Sequence, residues 1–88
     1  MTTVQGLTLY HYAGCVWCAM VQRALVQLGV EISQRDIYGD PQHLRELVES
    51  TGRQTVPCLR IVEEGKDRWM HESAEIVAYL NERFSLSR

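Results

Sequence analysis

Two cysteines three positions apart, Cys15 and Cys18, are the residues in this sequence best suited to covalent chemistry. A thiolate, not a thiol, attacks a disulfide. Leu7-Thr8-Leu9-Tyr10-His11-Tyr12 reads as a short strand, Ala13-Gly14 breaks it, and from Val16 the apolar spacing turns helical. Cys15 is therefore expected at a helix N-terminus, where free N–H groups and the helix dipole favour an anion. Cys18 falls one turn further in, facing back toward Cys15, and suits a second role: resolving a mixed disulfide formed by Cys15. A C-x-x-C placed just before a helix in a β-α-β pattern is a redox signature. The competing readings are two buried small hydrophobes, or a zinc site. Structural zinc wants four ligands, commonly from two close pairs, and only His11 and Cys58 are available to join here.

The elements that must position these thiols follow from the apolar spacing. Cys18, Val21, Leu25 and Leu28 fall on one helical face, and Gly29 is the expected stop. Glu31 to Ile37 reads as a weak second strand. Asp40-Pro41 signals a helix start, Leu44, Leu47 and Val48 give that helix its stripe, and Gly52 ends it. Thr55-Val56-Pro57 opens a third strand over Cys58 to Val62, Glu64-Gly65-Lys66 is a hairpin turn, and Arg68-Trp69-Met70 is a fourth strand. A last helix begins near Glu72 or Ser73 and carries Ile76, Val77, Leu80 and Phe84 on one side. The order is β-α-β-α-β-β-α, an α/β sandwich with a small mixed sheet.

Bulk properties bound what such a chain does. Its 88 residues suit one domain, 1–88, and repeats or linkers are absent. At 45% hydrophobic and 23% charged residues the composition is that of a folded domain rather than a disordered one. A net charge of -2 supplies no strong basic field for nucleic acid or an anionic membrane. The N-terminal residues show no basic, apolar leader pattern, and no run approaches the ~20 apolar residues of a membrane span. Three cysteines, two of them in one C-x-x-C, are not a secreted disulfide framework, so a reducing cytoplasm is the expected location. Cys58 reads as structural, His11, His43 and His71 as ordinary polar positions, and Trp69 and Tyr79 as packing residues.

Taken together, three motifs resemble those of the glutaredoxins of the thioredoxin-fold superfamily, and are also similar to the N-terminal domain of glutathione transferases. Cys15-Val16-Trp17-Cys18 stands at the family's C-P-Y-C position. Gly52-Arg53-Gln54-Thr55-Val56-Pro57 is similar to its T-V-P segment, whose proline is cis. Glu72-Ser73-Ala74-Glu75-Ile76-Val77-Ala78-Tyr79-Leu80 resembles the transferases' E-S-x-x-I-x-x-Y-L. The resemblance implies a thioredoxin-like fold with a four-stranded mixed sheet flanked by helices. It also implies glutathione as co-substrate, with Cys15 and Cys18 catalytic. Val56, beside Pro57 and Thr55, would pair strand-like with the cysteinyl residue of glutathione. Ser73 would hold the γ-glutamyl carboxylate at a helix N-terminus, with Glu72 or Glu75 facing its ammonium group. Arg53 or Gln54 would reach the glycyl carboxylate, and Trp17 would form an exposed aromatic lid. Each position also has a plainer reading: a strand start at Pro57, a helix cap at Glu72-Ser73, solvated side chains at Arg53 and Gln54.

Three departures stand out. Tyr12 replaces a lysine frequent in glutaredoxins, and as a glutathione contact it offers a hydroxyl without a charge. Val16 replaces the usual proline, and Met70-His71 replaces a glycine pair. The function implied is reduction of protein disulfides and glutathionylated proteins by a monomer, with no resident metal, nucleic acid or membrane. The alternatives are a [2Fe-2S] or glutathione-binding module without turnover, and a stand-alone transferase-like domain. The transferases' electrophile pocket comes from a further helical domain, and this sequence ends at Ser85-Leu86-Ser87-Arg88, so conjugation is expected to be poor.

Overall fold

In the computed structural model, which describes residues 2–84, strand β1 (Thr2–His11) is an inner strand of a four-stranded sheet. It is followed by α1 (Val16–Leu28), β2 (Val30–Asp36), α2 (Pro41–Thr51), β3 (Cys58–Glu63), β4 (Lys66–Met70) and α3 (Ser73–Phe84). The strand order is β2-β1-β3-β4. β1 pairs parallel with β2 and antiparallel with β3, and β3 pairs antiparallel with β4. The expected β-α-β-α-β-β-α order and thioredoxin-like architecture are thus observed.

Alternation along β1 splits the core between the two sheet faces. Leu7 and Leu9 stand opposite Ile61 and Leu59 in register. They pack with Val21 and Leu25 of α1 and Ile76 and Leu80 of α3. Tyr10, turned to the other face, packs with Ile37, Leu47 and Cys58 over α2. Its hydroxyl donates to the Glu46 carboxylate at 3.0 Å, and Arg35 pairs with the same carboxylate. A fully buried phenol needs such a partner, and the contact ties the C-terminal end of β1 to α2, just ahead of the cysteines.

Two strands are longer than the sequence pattern indicates. β1 starts at Thr2 rather than Leu7, and its register against β2 shifts between Thr3 and Thr8. Residues 2–6 carry no alternating apolar signal: Thr2 and Thr3 pair with Val30 and Glu31, and within the stretch Val4 packs against the core. Gly6 sits there at φ +85, and a Cβ would lie 2.9 Å from the Val62 carbonyl oxygen. β4 starts at Lys66 because an edge strand can pair with polar, exposed residues. β2 ends at Asp36, and Ile37 is buried from the following turn. Asp40 caps α2, accepting the Gln42 N–H at 2.9 Å, with Pro41 in the first turn. Among the described residues no helix is long and apolar enough to cross a membrane. Met1 and residues 85–88, on which the leader and chain-end expectations partly fell, lie outside the described residues.

Candidate active site

β1 delivers the chain into a tight turn. The Cys15 N–H donates to the Tyr12 carbonyl at 3.3 Å, and Gly14 adopts φ +88. A positive φ at the third position of such a turn favours glycine. Cys15 then becomes the N-cap of α1. Its backbone is extended (φ -79, ψ 116) and its Sγ accepts the Cys18 N–H at 3.2 Å. Its carbonyl accepts the Ala19 N–H at 3.0 Å. The sulfur thus occupies the position of a capping oxygen, satisfying one of the helix's unpaired donors. Cys15 is 8% exposed and Cys18 2%, so both thiols are close to buried and Cys15 is the more accessible. Trp17 is 59% exposed, consistent with the absence of a core role.

Beside this helix end lies an open cleft of about 240 Å³, lined by Trp17, Thr55, Val56, Pro57, His71, Glu72 and Ser73. Three chain segments meet there. The first turn of α1 contributes Trp17. The loop after α2 contributes residues 55–57, with the Val56–Pro57 peptide bond cis. The start of α3 contributes Glu72 and Ser73, and the Glu72 carbonyl accepts the Ile76 N–H at 2.9 Å. Tyr12, Arg53 and Gln54 do not line the cleft. Tyr12 packs against Tyr38, with ring centroids 5.3 Å apart, and Arg53 and Gln54 are exposed on the loop. His71 lines the cleft although its type alone gave no reason to single it out; its place directly before Glu72-Ser73 was the available signal. Wider hollows of about 650 and 710 Å³ lie along the β1–β2 bulge and the β3–β4 hairpin. Neither reaches the α1 N-terminus, so size does not locate the chemistry; Cys15 and Cys18 themselves do not line the smaller cleft, which meets their helix through Trp17.

The glutaredoxin family model matches residues 7–65, from within β1, across the C-x-x-C, to the turn between β3 and β4. This chain belongs to the glutaredoxin family. Solved structures agree on the fold. The trimeric glutathione transferase TDR1 of Leishmania superposes with a TM-score of 0.74 at 26% identity, over 94% of this chain and 18% of that one. Glutathione transferase E6 of Drosophila melanogaster gives 0.67 at 26% identity, over 89% of this chain and 34% of that one. Maleylacetoacetate isomerase from Anaeromyxobacter dehalogenans, solved with glutathione in its active site, gives 0.70 at 23% identity, over 91% and 38%. This chain therefore spans well under half the length of these proteins. No curated protein matches.

Within this glutaredoxin-family domain, burial governs the Cys18 and Cys58 thiols. Burial pushes the Cys18 thiol up to about 12, and its hydrogen bond with Cys15 acts in the same direction. Cys18 is thus a protonated thiol near neutral pH, and its backbone N–H donates to the Cys15 sulfur. Cys58 is fully buried and is also pushed up to about 12 by burial. Its Sγ stands 3.9 Å from His71 Nε2, so the cleft's imidazole rests on the third cysteine.

Proposed function

We propose that this chain is a glutathione-dependent thiol–disulfide oxidoreductase, reducing protein disulfides and glutathione mixed disulfides in the cytoplasm. The observation that carries the reading is Cys15 Sγ at the α1 N-cap, accepting the Cys18 N–H at 3.2 Å, immediately beside the cleft at Trp17. The Cys15 thiolate attacks a disulfide sulfur, a new S–S bond forms, and the old S–S bond breaks to release the partner as a thiolate. With a glutathionylated protein, attack on the glutathione sulfur frees the protein and leaves glutathione on Cys15. A second glutathione thiolate then attacks that sulfur, releasing oxidised glutathione and restoring Cys15. With a protein disulfide, Cys18 attacks the Cys15 sulfur, its proton passing to the departing protein thiolate, and two glutathione molecules in turn reduce the resulting Cys15–Cys18 disulfide and leave as oxidised glutathione. The glutathione moiety is assigned to the cleft: its cysteinyl backbone against Val56, with Thr55 and Pro57 alongside, and its γ-glutamyl end at Ser73 and Glu72. Trp17 covers it. Arg53 and Gln54, exposed beside the cleft, serve the glycyl carboxylate.

A coupled assay tests this. Glutathione, glutathione reductase and NADPH are supplied with a small glutathione mixed disulfide. Glutathione-dependent turnover that disappears in Cys15→Ser and persists in Cys18→Ser is expected; turnover unchanged in Cys15→Ser overturns the assignment. A second reading, a transferase-like glutathione-binding domain, is favoured by Met70-His71 leading into Glu72-Ser73 and by the solved relatives. It predicts glutathione binding without turnover of the mixed disulfide.

A further inference from the structure

We propose that the Tyr12 hydroxyl donates a hydrogen bond to the Cys15 sulfur, and that Tyr38 is the positioning residue that holds the Tyr12 ring for it. The inference rests on Cys15 as the nucleophile, and it assigns Tyr12 to the enzyme's own sulfur rather than to glutathione. The turn carries it first. The hydrogen bond from Cys15 N–H to the Tyr12 carbonyl closes a four-residue turn, so the two side chains leave one short, fixed segment. The ring packing carries it further. Tyr12 lies against Tyr38 at 5.3 Å between centroids and 49° between planes, a tilted arrangement favourable for aromatic pairs. Tyr38 is 68% exposed, yet its backbone is fixed. The Asp36 carboxylate accepts the N–H groups of Tyr38 at 2.9 Å and Gly39 at 3.2 Å. An exposed aromatic on a pinned turn has no core to serve, and what it touches is the one ring attached to the Cys15 turn.

The sulfur has capacity for this donor. A thiolate accepts several hydrogen bonds, and the backbone provides one, from Cys18. The groups acting on Tyr12 are Cys15, Tyr38 and Cys18, with no cation among them. Charge on Cys15 is the largest influence and holds the phenol above its ordinary value, so its proton stays in place to be donated. A hydroxyl on the sulfur thus takes up part of the charge that a lysine ammonium would otherwise neutralise.

The test measures the initial rate at which iodoacetamide alkylates Cys15 in the reduced, full-length protein at neutral pH, read by peptide mass spectrometry. The thiolate absorbance lost on alkylation is followed in parallel. Tyr12→Phe keeps the ring and removes the donor. It is expected to slow Cys15 alkylation about 3- to 10-fold and to reduce the thiolate absorbance, the effect of losing one hydrogen bond to a charged group. Tyr38→Ala is expected to slow it comparably, and Tyr38→Phe, which preserves the packing, to restore the wild-type rate. An unchanged rate and absorbance in Tyr12→Phe overturns the hydrogen bond. A Tyr38→Ala variant that reacts like wild type overturns the positioning role. Alkylation needs no glutathione, so a protein inactive in the coupled assay still answers this question.

Discussion

Replacing Cys58 with alanine is expected to make the protein less stable at neutral pH and more stable in alkali. At pH 7 the variant loses a fully buried sulfur and its contact with His71, a cost of about 1–2 kcal/mol for one heavy atom removed from a packed site. The wild type, however, must keep this thiol neutral while folded. Its ordinary value is 9.0, and burial moves it to about 12 in the fold. A thiol raised on folding contributes its full stabilisation below the unfolded value and loses it as pH climbs toward the folded one. Above about pH 9 the unfolded chain gains up to ~1.4 kcal/mol per pH unit from releasing this proton, and the folded chain gains almost nothing. By pH 11 the loss is roughly 3 kcal/mol, more than the packing advantage. The two stability curves should therefore cross near about pH 10. Urea melts with a phosphine reductant, from pH 7 to 11, read the crossing directly. Tyrosine and lysine titrations occur in both proteins and cancel in the difference. A wild-type-minus-variant difference that stays constant over the range would show that Cys58 is not held neutral, and the reasoning from burial would fail.

Three further outcomes are expected. At pH 8 the reduced protein's Cys18 should react with iodoacetamide about 30- to 60-fold more slowly than an unstructured cysteine; its thiolate is ~1,000-fold scarcer, and higher basicity recovers part of the rate. Equal labelling of Cys18 in folded and urea-unfolded protein would refute this. Ser73→Ala should raise KM for a glutathione mixed disulfide several-fold with kcat nearly unchanged, because it removes a binding contact and no reacting group; a fall in kcat alone would place Ser73 elsewhere in the mechanism. Leu9→Ala, at a fully buried position opposite Leu59, should cost about 2–5 kcal/mol in a denaturant titration, whereas a cost below 1 kcal/mol would mean the sheet collapses around the cavity.

Where burial leaves a periodic mark, the sequence announces the structure. Leu7 and Leu9 define the core face of β1, Cys18, Val21 and Leu25 the buried stripe of α1, and Asp40-Pro41 and Gly52 the ends of α2. The N-terminal residues of β1 and the outer part of β4 leave no such mark, since paired backbone at a sheet margin tolerates polar side chains. The site divides in the same way. Cys15, Cys18, Pro57 and Ser73 stand at element boundaries with recognisable local chemistry. His71 and Tyr38 do not: one follows an edge strand and the other sits in a polar turn, and only the folded chain brings them to Cys58 and Tyr12. Arg53 and Gln54 are legible only through adjacency to the Thr55-Val56-Pro57 segment, and long, solvated side chains stand at the cleft's margin rather than in its lining.

The capping role of Cys15 links covalent chemistry to helix order. An anionic sulfur is a strong acceptor for the Cys18 amide, whereas the neutral sulfur of a disulfide is a weak one. Under the proposed chemistry, each turnover on a glutathione mixed disulfide weakens the cap on α1 as the intermediate forms and restores it as a second glutathione frees Cys15. The recovered cap favours the reduced protein and makes Cys15 a better leaving group in the resolving step. Amide exchange at Cys18 thereby becomes a gauge of oxidation state, faster when Cys15 carries a partner and slower when it is free. The opening turn of α1 acts as a spring set against the accumulation of its own intermediate.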